Sequence, residues 1–452
     1  MSGPGFGPAR PPYPAGPPYP TGPAAPGPAP GAPLFVQAPP RSGGTAMVAV
    51  NTVVIVVAAC SLLVLLLLTL LGSSPPIFVL SLLLAVLPLT TVWLVVWFID
   101  RWEPEPRLLL FGALFWGGGI ATGGTLLATT LRSVLLPWLD EIPGYDFSAG
   151  VEAPVSEEIW KGLGLLVILL AARRHFNGPS DGIVYGCLLG AGFAFTENIF
   201  YFASVGTETG LFGLSFQFLV RGIALPLLHP ICVSITGYAV GLGARRGGAG
   251  PYLGFLLGLL PAMTVHAIWN NGAFFVGATA SSPLAGLGGL LLLFLLVMVP
   301  IFIGWILLVA GRRRRDVRLL RRRLGEYAAA GWFSPAEIEM LASMRGRTNA
   351  RRWAAGLGPE AKRAMREFIA DASRLATARE GMHHGADAER ARREEHELLR
   401  DLIRVRGVLA AAQHRGTAIM APPPRPPSPP GPAFPGPLRP GVHGPWSTHP
   451  GR

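Results

Sequence analysis

Charge is what this 452-residue chain has least of: Asp, Glu, Lys and Arg make up 14%, against 50% hydrophobic residues. An ordinary soluble domain carries about a quarter charged residues, so the composition, with a mean hydropathy of +0.43, excludes one and indicates a polytopic membrane protein. Lysine is nearly missing, with Lys161 and Lys362 alone, so the formal net charge of +12 is almost entirely arginine. Those arginines flank apolar runs, which points to membrane topology before nucleic acid. The three cysteines, Cys60, Cys187 and Cys232, all sit inside apolar runs, which excludes a disulfide framework and suits small buried hydrophobes. No His-Glu-x-x-His occurs, removing the simplest zincin reading.

Present in quantity are apolar runs of spanning length. Residues 1–46 are rich in Pro, Gly and Ala, a composition that predicts a disordered arm. The run Met47 to Leu71 is too long and starts too late for a signal peptide. Seven more follow, roughly Ile77–Ile99, Leu108–Leu131, Val151–Ala172, Asp181–Ala203, Arg221–Gly243, Tyr252–Phe275 and Leu284–Ala310, each near the ~20 residues a bilayer requires. The expectation is an all-α polytopic bundle of about eight spans over residues 47–310. Arg101, Arg107, Arg173, Arg174, Arg245, Arg246 and Arg312 to Arg315 fall on the side shared by both termini, which the positive-inside rule makes cytoplasmic. Residues 311–415 read as a small, charged, helical cytoplasmic region, opening in part at a Ser334-Pro335-Ala336-Glu337 capping box. Its basic first part suits contact with anionic lipid. Residues 416–452 read as a disordered Pro-rich tail. Gly117-Gly118-Gly119, Gly123-Gly124, Gly186, Gly190 and Gly192 read as helix-packing residues rather than phosphate loops.

A charge in hydrocarbon costs several kcal/mol, on the order of 3 by insertion scales, so the few ionisable residues within the runs need a partner or a task. The fourth run holds Glu152, Glu157, Glu158 and Lys161, the fifth Glu197 and Asn198, the sixth Arg221 and His229, the seventh His266 and Asn270. Counting ~1.5 Å per residue along antiparallel helices puts Glu157, Glu158, Glu197, His229 and His266 at one level, roughly 9 to 14 Å below the outer edge. That convergence argues for one site. Lys161 is i,i+4 from Glu157 and i,i+3 from Glu158, so its ammonium can keep one carboxylate ionised while the other holds a proton, a general base beside an acid. His266 and Asn270, also i,i+4, share a face suited to an oxyanion or a water. Glu152 reads as interfacial, and Arg221 either snorkels or pairs with an acid.

These residues carry a resemblance. Glu157-Glu158-x-x-Lys161, Phe193-x-x-x-Glu197-Asn198, the Arg221 to His229 segment, His266-x-x-x-Asn270 and the loop Asp100-Arg101-Trp102-Glu103-Pro104-Glu105-Pro106 together resemble the PrsW intramembrane proteases, distant relatives of the CAAX prenyl endopeptidases. The resemblance covers about residues 50–310 and implies cleavage of a membrane-anchored protein, with anti-sigma factors the target type in bacteria. Glu157 or Glu158 would activate a water, His266 and Asn270 would stabilise the oxyanion, and Glu197 and His229 would position the water or protonate the leaving amine. A competing version sets one divalent metal, zinc first, between His229, His266 and Glu197; the other has no cofactor. An ion- or proton-coupled transporter using the Glu/His cluster, and a non-catalytic sensor or scaffold, are the alternatives from other classes. The expected partners are the substrate and the bilayer, not nucleic acid. The expected location is a bacterial plasma membrane, with both termini cytoplasmic.

Overall fold

In hydrocarbon every backbone N–H and C=O must be satisfied within its own segment, so apolar runs of this length become helices. The computed structural model describes residues 43–420 apart from Glu103, Pro143, Asn177 and 384–387, and contains no strand among them. The arms expected over 1–46 and 416–452 therefore fall almost wholly outside the described residues, save that Gly43 to Ala46 and Gly416 to Met420 lie in helices. Helix α1 spans Gly43–Leu71, α2 Pro75–Asp100 and α3 Arg107–Leu135. A π-helical turn, Ser148–Glu152, leads into α4, Ala153–Ala171. Then come α5, Pro179–Phe218, α6, Leu228–Arg246, α7, Gly250–Thr279, and α8, Pro283–Ala329. Beyond the membrane bundle lie α9, Pro335–Leu341, α10, Met344–Gly356, α11, Pro359–His383, and α12, Ala388–Met420.

Six helical stretches are long and apolar enough to cross a membrane by length and composition, against eight runs read from the sequence. Two features account for the difference. The helix α4 carries three charges, Glu157, Glu158 and Lys161, in 19 residues. The fifth and sixth runs fall in one stretch, Pro179–Arg246, in which helix continues past Ala203 to Phe218 and a short turn at Leu225–Leu227 precedes α6. Inside it the chain breaks at Gly210, whose φ of 70° suits glycine alone, and passes through a π-helical turn at Leu219–Ala224 before α6 runs back along α5.

The antiparallel pass is close because small residues face each other. A Cβ on Gly182 would lie 1.9 Å from the carbonyl oxygen of Gly237, and one on Gly190 would lie 2.5 Å from that of His229. The Gly117-Gly118-Gly119 run sits in a π-helical turn of α3, Trp116–Ala121, wedged between α5 and α1. The apolar core of the bundle is built from Leu165, Leu188, Leu189, Ile231 and Val233.

The helical region has a core of its own, with Leu324, Leu341, Phe368, Leu375 and Val405 buried. Its capping box is present: Ser334 Oγ accepts from the Glu337 N–H at 3.2 Å, and the Glu337 carboxylate accepts from the Ser334 N–H at 2.8 Å. It rests on the loop ends of the bundle through the buried Arg347, which donates to the Trp102 carbonyl and stacks over the Trp102 ring at 3.9 Å. Ser180 at the start of α5 donates to Asp316 of α8 at 2.6 Å.

Candidate active site

Four helices deliver the buried polar residues to one place. On α4 the helical repeat sets Glu157, Glu158 and Lys161 on the inner face, all buried, with the lysine fully so. Lys161 Nζ donates to Glu158 Oε1 at 2.6 Å and to Glu157 Oε2 at 3.2 Å, and lies 3.1 Å from His229 Nδ1. The Phe193 ring of α5 faces the same ammonium, its centroid 4.2 Å away. The sequence spacing thus gives both lysine contacts, and the long reach of the side chain adds the third.

From α6, His229 turns Nε2 to Glu197 Oε2 at 2.8 Å and Nδ1 toward Glu157 Oε2 at 3.9 Å. His266 of α7 mirrors it, with Nδ1 3.1 Å from Glu158 Oε1 and Nε2 3.9 Å from the same Glu157 oxygen. The two imidazoles meet edge to face, centroids 5.1 Å apart. Each ring therefore gives one nitrogen to an outer carboxylate and points the other at Glu157. Glu157, His229 and His266 offer ligand atoms within 4.8 Å of one another and could hold a metal ion. The triad read from the sequence had Glu197 in that place; Glu197 instead stands behind His229, where Arg221 Nη2 binds the same oxygen.

Arg221 is paired, not snorkelling. Its Nε donates to Asn198 Oδ1 at 2.9 Å, and its guanidinium lies 4.1 Å from the Tyr201 ring centroid. The role of Tyr201 was missed in the sequence, although its i,i+4 spacing from Glu197 was there to be used. Asn270 is also elsewhere than expected: its Nδ2 donates to the Ala149 carbonyl at 2.9 Å, while Asn271 Nδ2 donates to that of Gly150 at 2.8 Å. The two amides tie the Ser148–Glu152 turn to α7 one helical turn outside His266. Glu152 is buried and accepts from Arg132 Nε at 2.9 Å.

Three carboxylates (Glu157, Glu158, Glu197) face two cations (Lys161, Arg221), so with neutral imidazoles the cluster carries a formal charge of minus one. Glu158 Oε2 is buried without a hydrogen-bond partner, an arrangement costly enough to need a use. A Gly-x-Ser-x-Gly pattern does occur, at Gly178-Pro179-Ser180-Asp181-Gly182, but no strand leads into it, and the Ser180 hydroxyl is given to Asp316.

Comparison with known proteins bears on this geometry. No curated protein and no solved structure matches the chain. Residues 105–305, which contain α3 to α7 and every residue of the cluster, match the model of the PrsW family intramembrane metalloproteases.

Proposed function

Because residues 105–305 match the model of the PrsW family intramembrane metalloproteases, we propose that the cluster hydrolyses a peptide bond in a membrane-anchored protein, with Glu157, His229 and His266 holding one divalent cation, zinc first. The observation that carries this reading is the paired orientation of the histidines. In metal sites a ligating imidazole gives its second nitrogen to a carboxylate, which fixes the tautomer and the ring. His229 on Glu197 and His266 on Glu158 are two such pairs, and each ring's other nitrogen faces Glu157 Oε2 at 3.9 Å, the His229 one with the Lys161 ammonium beside it at 3.1 Å. The formal minus one of the cluster suits a cation. When bound, such an ion polarises a peptide carbonyl and acidifies a water.

The chain's own residues do the rest. Glu158 is the general base: its Oε1 is fixed by Lys161 and His266, and its unpartnered Oε2 accepts the proton of the attacking water. Glu197, clamped by Arg221, orients His229. Once Glu158 is protonated it passes that proton to the leaving amine, as microscopic reversibility allows for one group serving as base and then acid. The substrate is a single-span or otherwise membrane-anchored protein, anti-sigma factors being the first class to try, in a bacterial plasma membrane with the arginine-bearing loops cytoplasmic.

The test reconstitutes the purified full chain with candidate single-span substrates and compares Glu158→Gln, Glu157→Gln and His266→Ala with the parent. A loss of about 100-fold or more is expected for Glu158→Gln. Normal cleavage by all three variants would sink the site. Full activity after exhaustive chelation would overturn the cation alone and leave the glutamate base standing.

A further inference from the structure

Where the bundle meets the helical region, arginines gather. Arg101 closes α2 with its guanidinium 4.9 Å from the Trp97 ring centroid and 5.9 Å from that of Phe98. Arg313 of α8 shares Phe98, 5.9 Å from its ring centroid, and lies 5.7 Å from that of Trp102. Arg351 follows the Trp102-bound Arg347 by one turn of α10, and the charges of Arg366 and Arg101 act on it. Burial first, then Arg366 and Arg101, hold the Arg351 guanidinium below its ordinary pKa. Among the described residues no carboxylate pairs with Arg101, Arg313, Arg351 or Arg366. Like charges brought together by two separately cored parts of a chain are a cost, and an anion between them removes it.

The place says which anion. Trp97 and Phe98 are exposed on the spanning helix α2, and Ile303, Ile306 and Leu307 are exposed on α8. Arg313 follows Leu307 by six residues, or about 9 Å of helix rise, so the arginines stand within the headgroup layer next to lipid-facing side chains. Aromatic rings beside guanidinium groups are what an interfacial belt presents to lipid. We propose that Arg101, Arg313 and Arg351 form a binding site for the phosphate of an anionic phospholipid, which joins the helical region to the membrane bundle. Guanidinium forks match phosphate oxygens bidentately, and the acyl chains lie along α2 and α8.

Native mass spectrometry of the detergent-solubilised full chain, with a melting midpoint measured alongside, tests this. Phosphatidylglycerol should bind in preference to phosphatidylcholine and raise the midpoint. Arg313→Gln and Arg351→Gln should each weaken phosphatidylglycerol binding about fivefold, the value of one interfacial charge, and Arg351→Lys should keep most of it. Arg352→Gln, on the exposed neighbour, should change nothing. Circular dichroism of each variant confirms its helix content before comparison. Equal affinity for the two lipids, or undiminished binding in both glutamine variants, overturns the site. A full midpoint shift from inorganic phosphate alone overturns the lipid and leaves a soluble anion.

Discussion

The membrane bundle and the helical region use the same ion-pair chemistry in opposite places. In the bundle the outside is apolar, with Leu63, Leu284 and Leu307 exposed, and the charges are inside: the Lys161–Glu158 side chains are 0% exposed on both partners. In the helical region the apolar residues are inside, and a pair such as Arg404–Glu367 stands in solvent at 55% and 39%. An exposed pair gains little because water screens it, whereas a buried one, once broken, leaves a charge with nowhere to go. Position, not geometry, decides what the pair is worth.

Breaking the buried member should have the largest effect. Lys161→Met leaves Glu157 and Glu158 side by side in an apolar setting, and a destabilisation of about 3 to 5 kcal/mol is expected from thermal melting in detergent. Adding Glu158→Gln to that variant should recover part of the loss; if Lys161→Met melts with the parent, the buried charge is not what the contrast claims. Next comes the oriented histidine. Glu197→Gln keeps the shape but weakens the hold on His229, so a loss of about 10- to 100-fold in metal affinity is expected, read by competition with a chromogenic chelator. Retained affinity would make Glu197 a packing partner only. Smallest is the surface: Arg404→Ala should shift stability by less than about 1 kcal/mol. Within the same region Glu326 is held below the usual carboxylate range by Arg379 first and then Arg323. A depressed folded pKa means that its stabilisation is present above the ordinary carboxylate value and fades as pH falls through the lower one. An acid titration followed by circular dichroism of Glu326→Gln against the parent should show the variant less sensitive to that fall.

The sequence made depth legible and left rotation hidden. Rise per residue along antiparallel helices was enough to bring Glu158 to His266 and Lys161 to both glutamates. Which face each helix turns to its neighbour depends on how closely the backbones pack, as where Gly190 lets α5 approach His229. For that reason the sequence sets Glu197 between the two histidines whereas it lies behind His229, 2.8 Å from its Nε2, and sets Asn270 beside the oxyanion whereas it holds the Ala149 carbonyl. The capping box at Ser334 is a local signal and was readable; the docking of Arg347 on Trp102 joins residues 245 apart and was not. The fifth run was expected to end near Ala203, but helix continues to Phe218, kinked at Gly210.

Helix α8 has a mechanical consequence. It runs from Pro283 to Ala329 as 47 helical residues, eased by one π-helical turn at Phe294–Met298 but with no loop where it leaves the membrane. At ~1.5 Å per residue it is a rod of about 70 Å. Midway, Trp305 Nε1 donates to Ser234 Oγ at 2.8 Å, five residues along α6 from His229. Push or twist applied to the far end of such a shaft is not absorbed by a slack tether. It is carried to that indole, and so to the helix on which one of the two imidazoles is mounted.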